Sequence, residues 1–414
     1  MERRRVVITG LGAIAPNGIG KDAFWEALVA GRSGIDRITR FDASRYPCQI
    51  AGEVRDFRPT DYLEPREAKR LPRVAQFAIA AAKMAMADAG LEVTPDNRKE
   101  IGVCFGTSLG KAETFEADHL AFLDKGIRVL NPLTLVEIPS HGVTSHVAVA
   151  LGVEGVCGTV ATGCTNGLDV VQWGYTQIQL QRARAILVGC AEAVLTPFTF
   201  GVVCASRVLS TRNDDPQGAS RPFEKYRDGM VLSEAAGTLL LEDYEQARAR
   251  GAPMYAEILG GASGRDGNDL IHCDLSGAGM AHVMAEALHH AAVSRADIDY
   301  INAHGNSLPN YDLAETNAIK TVFGSLAYNI PISSIKSMIG QPFSAAGCLQ
   351  AIASCLTLKH SIIPPTINYE TPDPLCDLDY VPNRARRARV RTLLVHVHGI
   401  GGMDSALVLA KVKP

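Results

Sequence analysis

The chain has 414 residues, 47% of them hydrophobic and 21% charged, enough to bury a large core divided into two units, which excludes a disordered protein. A formal net charge of −3 with basic residues spread along the chain gives no basic face for nucleic acid or anionic lipid, and points to small-molecule or protein partners. The longest apolar stretch, residues 77–89, is broken by Lys83 and Asp88 and falls short of the ~20 apolar residues of a membrane span.

In chain order, Met1-Glu2-Arg3-Arg4-Arg5 runs directly into Val6-Val7-Ile8 without a signal-peptide core or cleavage site, so a cytoplasmic location is expected. A strand at 5–9 leads into Gly10-Leu11-Gly12-Ala13-Ile14-Ala15, which has the form of a dinucleotide-binding fingerprint. Pro16-Asn17-Gly18 falls where that motif's helix should be running, and the helical pattern begins only near Lys21. The glycines are therefore expected to make a tight turn. A strand at 101–105 precedes Gly106-Thr107-Ser108-Leu109-Gly110, a match to the Gly-x-Ser-x-Gly elbow of serine hydrolases, with His304 available for a triad. That motif is short, and the surroundings of Cys164 make the stronger case for a nucleophile.

Strands at 158–161, 185–188 and 238–241 complete a first series, with a polar surface loop expected at 211–222. A charged helical segment, 244–250, ends at Gly251, and the join between halves 1–250 and 251–414 is placed there. The second series has strands at 255–259, 298–301, 332–335, 393–397 and 406–410. Apolar β-rich runs ending in glycine alternate with helical patterns in both series. This predicts an α/β protein with sheets buried on both faces and a diverged internal duplication, its halves packed without a low-complexity linker.

The ten cysteines lack Cys-x-x-Cys spacing and the eleven histidines lack His-Glu-x-x-His, so no metal site is expected. Most cysteines, such as Cys104, Cys190 and Cys355, sit in apolar runs as small hydrophobes. Cys164 differs. In Thr162-Gly163-Cys164-Thr165-Asn166-Gly167 it lies between an apolar run and a helical segment at 168–181, a corner where a helix N-terminus favours thiolate and free amides can hold an oxyanion. Thioester exchange on such a sulfur stores an acyl group with little loss of free energy. The plainer alternative is a small buried cysteine in a turn. In the second half, His304 ends one strand, Lys336 and Gln341 follow another, and Val395-His396-Val397-His398-Gly399-Ile400-Gly401-Gly402 ends a third. Sites in α/β sheets gather at strand carboxyl ends, so these turns are expected to converge on Cys164.

These residues resemble the β-ketoacyl-acyl-carrier-protein synthases of the thiolase superfamily over essentially the whole chain. The likeness runs from Val6-Val7-Ile8-Thr9-Gly10-Leu11-Gly12 through Gly31-Arg32-Ser33-Gly34-Ile35 and Ser220-Arg221-Pro222-Phe223 to the glycine turn at 399–402. The segments at 162–169 and 211–216 are most similar to the ketosynthase α subunit of type II polyketide synthases. The resemblance implies a thiolase-like fold of two duplicated β-α-β halves in a layered α-β-α-β-α arrangement. It also implies an acyl carrier protein partner, and a homodimer or a heterodimer with a chain-length-factor-like subunit that lacks the cysteine. No cofactor is implied beyond substrates carried as phosphopantetheine thioesters.

By the same resemblance Cys164 is the acyl-accepting nucleophile, His304 the first catalytic histidine, and Lys336 and Glu315 a charged pair that organises the histidines. Taken alone, those two charges read as ordinary paired or solvated groups. Gln341 stands where the family has a second histidine that helps split carbon dioxide from malonyl units. Glutamine cannot shuttle a proton, yet its amide can donate to a carbonyl oxygen, as an asparagine does in initiating ketosynthases and chalcone synthases. His398, Ile400 and Met230 replace family phenylalanines, Asn306 and Leu308 replace two pantetheine-contacting threonines, and Cys273 is placed with them in a rebuilt substrate pocket. His398 either supplies the base lost at Gln341 or shapes the tunnel as a neutral ring. Three functions stay open: condensation with a malonyl-type extender, acyl transfer to an alcohol or amine, and a non-catalytic partner subunit with a vestigial cysteine.

Overall fold

The computed structural model describes residues 4–413 apart from 268 and 271. Ten strands form the spine: β1 Val6–Ala15, β2 Ile101–Gly106, β3 Cys157–Val160, β4 Ala185–Glu192, β5 Ala235–Asp243, β6 Ala256–Arg265, β7 Tyr300–Asn302, β8 Ile332–Ser333, β9 Thr392–Gly399 and β10 Met403–Ala410. They lie in the order β8-β7-β9-β10-β6-β1-β5-β4-β2-β3, with a short strand, Gly18–Ile19, paired back onto β1. Within the first five strands the order is third, second, fourth, fifth, first, and the last five repeat it. The second strand of each set pairs in parallel with the third and fourth, and the fifth runs antiparallel to its neighbours. The sets join where Val6, Val7 and Ile8 pair antiparallel with Ile258, Glu257 and Ala256.

The main helices are α1 Arg73–Ala89, α2 Ala112–Lys125, α3 His141–Leu151, α4 Asn166–Gln179, α5 Pro197–Ala205, α6 Ala278–Ala291, α7 Pro309–Phe323 and α8 Ala345–His360. α4 and α8 fill the space between the two sets of strands. Leu168 and Val171 of α4 and Leu349 and Ile352 of α8 share one core with Val188 and Leu239 on one side and Val395 and Leu407 on the other. α8 is buried from Ala345 to Leu358, as expected of a helix apolar on every face. α1 and α3 cover the outer face of the first set through Phe77 and Val143, while α6 and α7 cover the second through Met284 and Ile319. The expected five-layered arrangement and duplication are therefore present. No helix among the described residues is long and apolar enough to cross a membrane.

The glycine fingerprint does not turn. β1 continues through it to Ala15, all ten residues buried, because a side chain at Gly10 or Gly12 would run into the backbone oxygens of Ala85 and Ala81. These glycines let strand and alanine-faced helix approach closely, a packing role rather than a phosphate site. Strands β4, β5 and β6 likewise run longer than expected, through glycines at which the pattern was cut, whereas β8 stops at Ser333 rather than 335. The loop at 211–222 is exposed only in its first part. Ala219, Ser220 and Arg221 are buried, and the Ser220 hydroxyl donates to the Lys336 carbonyl at 2.8 Å.

Candidate active site

Cys164 occupies a single 3-10 turn, Gly163–Thr165, between β3 and α4. The turn is anchored from within and across the molecule: Thr165 donates to an Asp169 oxygen at 2.8 Å, Thr162 donates to the same oxygen, and Ser263 on β6 donates to the other. The half-buried sulfur lies close to the Ile400 backbone N–H and the Gln341 side-chain amide. Burial pushes the thiol up to about 11; the Ile400 and Gln341 donors and the nearby Lys336 ammonium act to lower it, and the Glu192 charge to raise it. Burial thus works against the thiolate that the helix start is expected to favour.

His304 follows β7. Its peptide link to Gly305 is gripped from both sides: Lys336 Nζ donates to the His304 carbonyl at 2.6 Å, and the Gly305 N–H donates to Glu315 at 2.8 Å. The other Glu315 oxygen accepts the His304 N–H at 2.7 Å, and Lys336 Nζ also reaches Gln350 of α8 at 2.7 Å. Lys336 and Glu315 thus both contact the main chain of His304 and Gly305. Burial pulls Lys336 down to about 7, with Glu315 and Cys164 opposing the shift. The ring Nδ1 of His304 accepts the His398 backbone N–H at 3.1 Å, so its proton sits on Nε2, which is buried and has no hydrogen-bond partner. Burial, reinforced by Lys336, His398 and His396, holds this imidazole well below its ordinary value.

The charge that Glu315 pairs with is His396, 2.7 Å away on β9 and fully buried. The second His396 nitrogen lies 3.4 Å from Asp404 of β10, and the same Asp404 oxygen is 2.7 Å from His398 Nδ1. Burial acts to lower His396, but hydrogen bonds to Asp404 and Glu315 prevail and raise it to about 9, an imidazolium at neutral pH. A continuous chain thus runs Glu315, His396, Asp404, His398. Sequence reasoning missed His396, Asp404 and Gln350. The available signal was a His-x-His pair in an apolar strand, whose alternation puts both rings on one face, with Asp404 paired opposite His398 in the adjoining strand.

Gln341 is held by its backbone, its N–H on the Val231 carbonyl at 2.7 Å, which leaves Oε1 buried without a hydrogen bond while the amide faces Cys164. A cavity of about 660 Å³ opens from Cys164, lined by Met230, Phe343, Ile400, Phe198 and Val202, with Lys111 and Glu116 among its polar wall groups. Met230 and Ile400 thus share the cavity with Cys164. Asn306, Leu308 and Cys273 do not line this cavity: Asn306 braces the turn after His304 by accepting the Leu308 N–H at 3.1 Å, and Cys273 is buried in the core under α6 and α7. Leu308 still packs in the apolar cluster that holds Cys164 and Met230. Ser108 borders the cavity, but its N–H is tied to Glu192 and His304 is engaged with His398, so no hydrolase triad forms.

The chain matches the model of the β-ketoacyl synthase N-terminal domain over residues 3–247 and that of the C-terminal domain over residues 255–370. It is 42% identical to the tetracenomycin polyketide synthase ketoacyl synthase alpha subunit of Streptomyces glaucescens, covering 99% of this chain and 98% of that protein. Identity to 3-oxoacyl-[acyl-carrier-protein] synthase 2 of Coxiella burnetii is 40% over the full length of both. Among solved structures, a type II polyketide ketosynthase in complex with its acyl-carrier protein superposes with a TM-score of 0.92 at 34% identity, covering 99% of this chain and 100% of that one. The ishigamide ketosynthase/chain length factor superposes with a TM-score of 0.92 at 33% identity, with the same coverage. Matched along both halves and superposed from end to end, the chain belongs to the β-ketoacyl synthase family.

Proposed function

We propose that this chain is a ketosynthase-type condensing enzyme that takes an acyl group from an acyl carrier protein onto Cys164 and joins it to a malonyl-type extender. The observation that carries the reading is a sulfur at the mouth of an apolar cavity with the Ile400 N–H and the Gln341 amide close to it, while His304, whose proton sits on Nε2, is tied through its Nδ1 to the strand that leads to Ile400. The Ile400 N–H takes the thioester oxyanion. His304 and Gln341 hold the enolate oxygen of the extender, where one preorganised donor is worth about 3 kcal/mol. Lys336 and Glu315 fix the His304 backbone, and residues 1–250 supply the nucleophile while 251–414 supply the donors. Phosphopantetheine thioesters are the substrates, and no separate cofactor takes part.

A second subunit of the same fold, a copy of this chain or a chain-length-factor-like relative, completes the cavity. Phe115, Ile127, Leu135 and Phe198 are exposed, and Phe115 and Phe198 line the cavity itself, apolar surface unusual for a free monomer. β3 is an edge strand with one neighbour. A ketosynthase/chain length factor pair is among the similar structures, as is a ketosynthase bound to its carrier protein.

Gln341 favours a second reading, acyl transfer to an alcohol or amine without decarboxylation, because an amide cannot move a proton. The test is to load Cys164 from acyl-carrier protein, add malonyl-carrier protein, and follow carbon dioxide and product mass together. Condensation gives release with a two-carbon gain, whereas transfer gives acyl loss only when an alcohol or amine is added. Absence of any adduct at Cys164 would leave a non-catalytic partner subunit.

A further inference from the structure

The outer face of α6 carries a cluster of ligating side chains that the chemistry at Cys164 does not use. Glu286-Ala287-Leu288-His289-His290 lacks the His-Glu-x-x-His order of a helical zinc motif, yet residues three and four apart are neighbours on a helix, which brings Glu286 beside both histidines. One oxygen of Glu286 and one nitrogen from each ring lie within 4.8 Å of one another. Ala287 and Leu288 turn inward to the core, whereas both histidines are exposed and Glu286 is half-buried, so the cluster is open to an ion from solvent.

His290 Nδ1 lies 2.9 Å from the Gly261 carbonyl of β6, and a carbonyl only accepts, so the proton there is fixed and Nε2 is the ligating nitrogen. A histidine whose other ring nitrogen donates to a main-chain carbonyl is oriented as metal-bound histidines are. Nε2 stands 3.7 Å from Glu286 Oε2, too long for a hydrogen bond but close to the ~3.3 Å between two ligands of one tetrahedral ion bonded at ~2.0 Å. His289 is exposed, so a turn about its side-chain bonds brings it to the same ion. Both histidines also fall in the last turn of α6, where the carbonyl end of the helix favours positive charge. A plain ion pair between Glu286 and His290 would give His289 no part.

We propose that Glu286, His289 and His290 form a binding site for Zn²⁺, with water in the fourth position, that ties the last turn of α6 to β6 through His290 and the Gly261 carbonyl. Imidazole and carboxylate together suit Zn²⁺ and its transition-metal neighbours, whereas Mg²⁺ and Ca²⁺ take oxygen ligands. Binding is coordination alone: the ion accepts a lone pair from each of three atoms, any proton carried by an imidazole passes to solvent, and nothing is oxidised or reduced. None of the three residues lines the cavity beside Cys164, so the site does not depend on the acyl-enzyme reading.

The test is calorimetric titration of the EDTA-treated full-length chain with zinc chloride, with Co²⁺ used in parallel for its absorption spectrum. Wild type should bind one Zn²⁺ and no Mg²⁺, with a rise in Tm. Glu286→Gln, His289→Ala and His290→Ala should each weaken binding by roughly 10-fold or more and lose that rise, while a wild-type Tm without metal shows that the variants are folded. Co²⁺ should give the visible bands of a nitrogen and oxygen site without the sulfur-to-metal absorption that the ten cysteines would add. Unchanged affinity in all three variants would overturn the proposal, as would sulfur-to-metal absorption at one equivalent or no Zn²⁺ binding by wild type. So would an equal loss in His282→Ala, the exposed histidine one turn before Glu286, because it would mean diffuse binding by surface histidines.

Discussion

The two sets of five strands share one strand order but carry opposite chemistry. The turn after the third strand holds Cys164 in the first set and Gln341 in the second, and each leads into a central helix. The turn after the second strand holds Ser108 in one and His304 in the other; the fourth strand ends at Glu192 in one and leads to Ile400 in the other. The first set thus presents a sulfur and a carboxylate, the second donors and imidazoles. Duplication supplied two equivalent rings of strand ends, and divergence gave them different side chains. The Gly-x-Ser-x-Gly match is, on this view, the topological twin of the histidine turn rather than a nucleophile elbow.

The division of labour can be broken most completely at Cys164. Cys164→Ala should abolish acyl loading, seen as no mass adduct, and retained loading would remove the sulfur from the account. Next, His304→Ala should reduce condensation by about 10²–10³-fold by deleting one oxyanion donor, measured as carbon dioxide release from malonyl-carrier protein, while an adduct at Cys164 still forms. The third test concerns pH and stability. His396 is raised to about 9 in the fold, so the stability it contributes is fully present below its ordinary value of 6.5 and is lost as pH rises through about 9. Lys336, lowered to about 7, acts in the opposite direction, so the informative quantity is the difference between wild type and His396→Gln in urea midpoint across that window. That difference should shrink by on the order of 3 kcal/mol as the imidazolium deprotonates; a difference flat with pH would mean the ring is neutral in the fold. Last, Gln341→His should leave loading unchanged while raising malonyl decarboxylation, and flat malonate turnover would show that this turn does not set the extension step.

Turns after strands were legible in the sequence: Cys164, His304 and Gln341 each follow an apolar run, and each lies in a segment after a strand. Strand lengths were less legible. Gly10 and Gly12, or the glycines inside β4 and β5, punctuate a pattern without ending a strand when a helix or an aromatic ring fills the space they leave, as Phe105 does against Gly189. Strand order lies in pairings between residues far apart in the chain, which no local pattern encodes. The same holds for the polar support. His396 and Asp404 look misplaced in strands as apolar as β9 and β10 until Glu315 arrives from α7 beside His396 and His398 of the adjoining strand pairs with Asp404. The burial that pushes the Cys164 thiol up is likewise hidden, because a helix start is visible in sequence and desolvation is not.

The starts of α4 and α8 touch through Gly167 and Gly347, where any added side chain would strike the opposing backbone. Nothing compressible separates the two main chains at that point, so the spacing between the sulfur and the amide of Gln341 is dictated by covalent dimensions instead of by how neighbouring residues happen to fit. The walls of the cavity beside Cys164 can therefore differ in size and shape while the two helix starts keep one spacing.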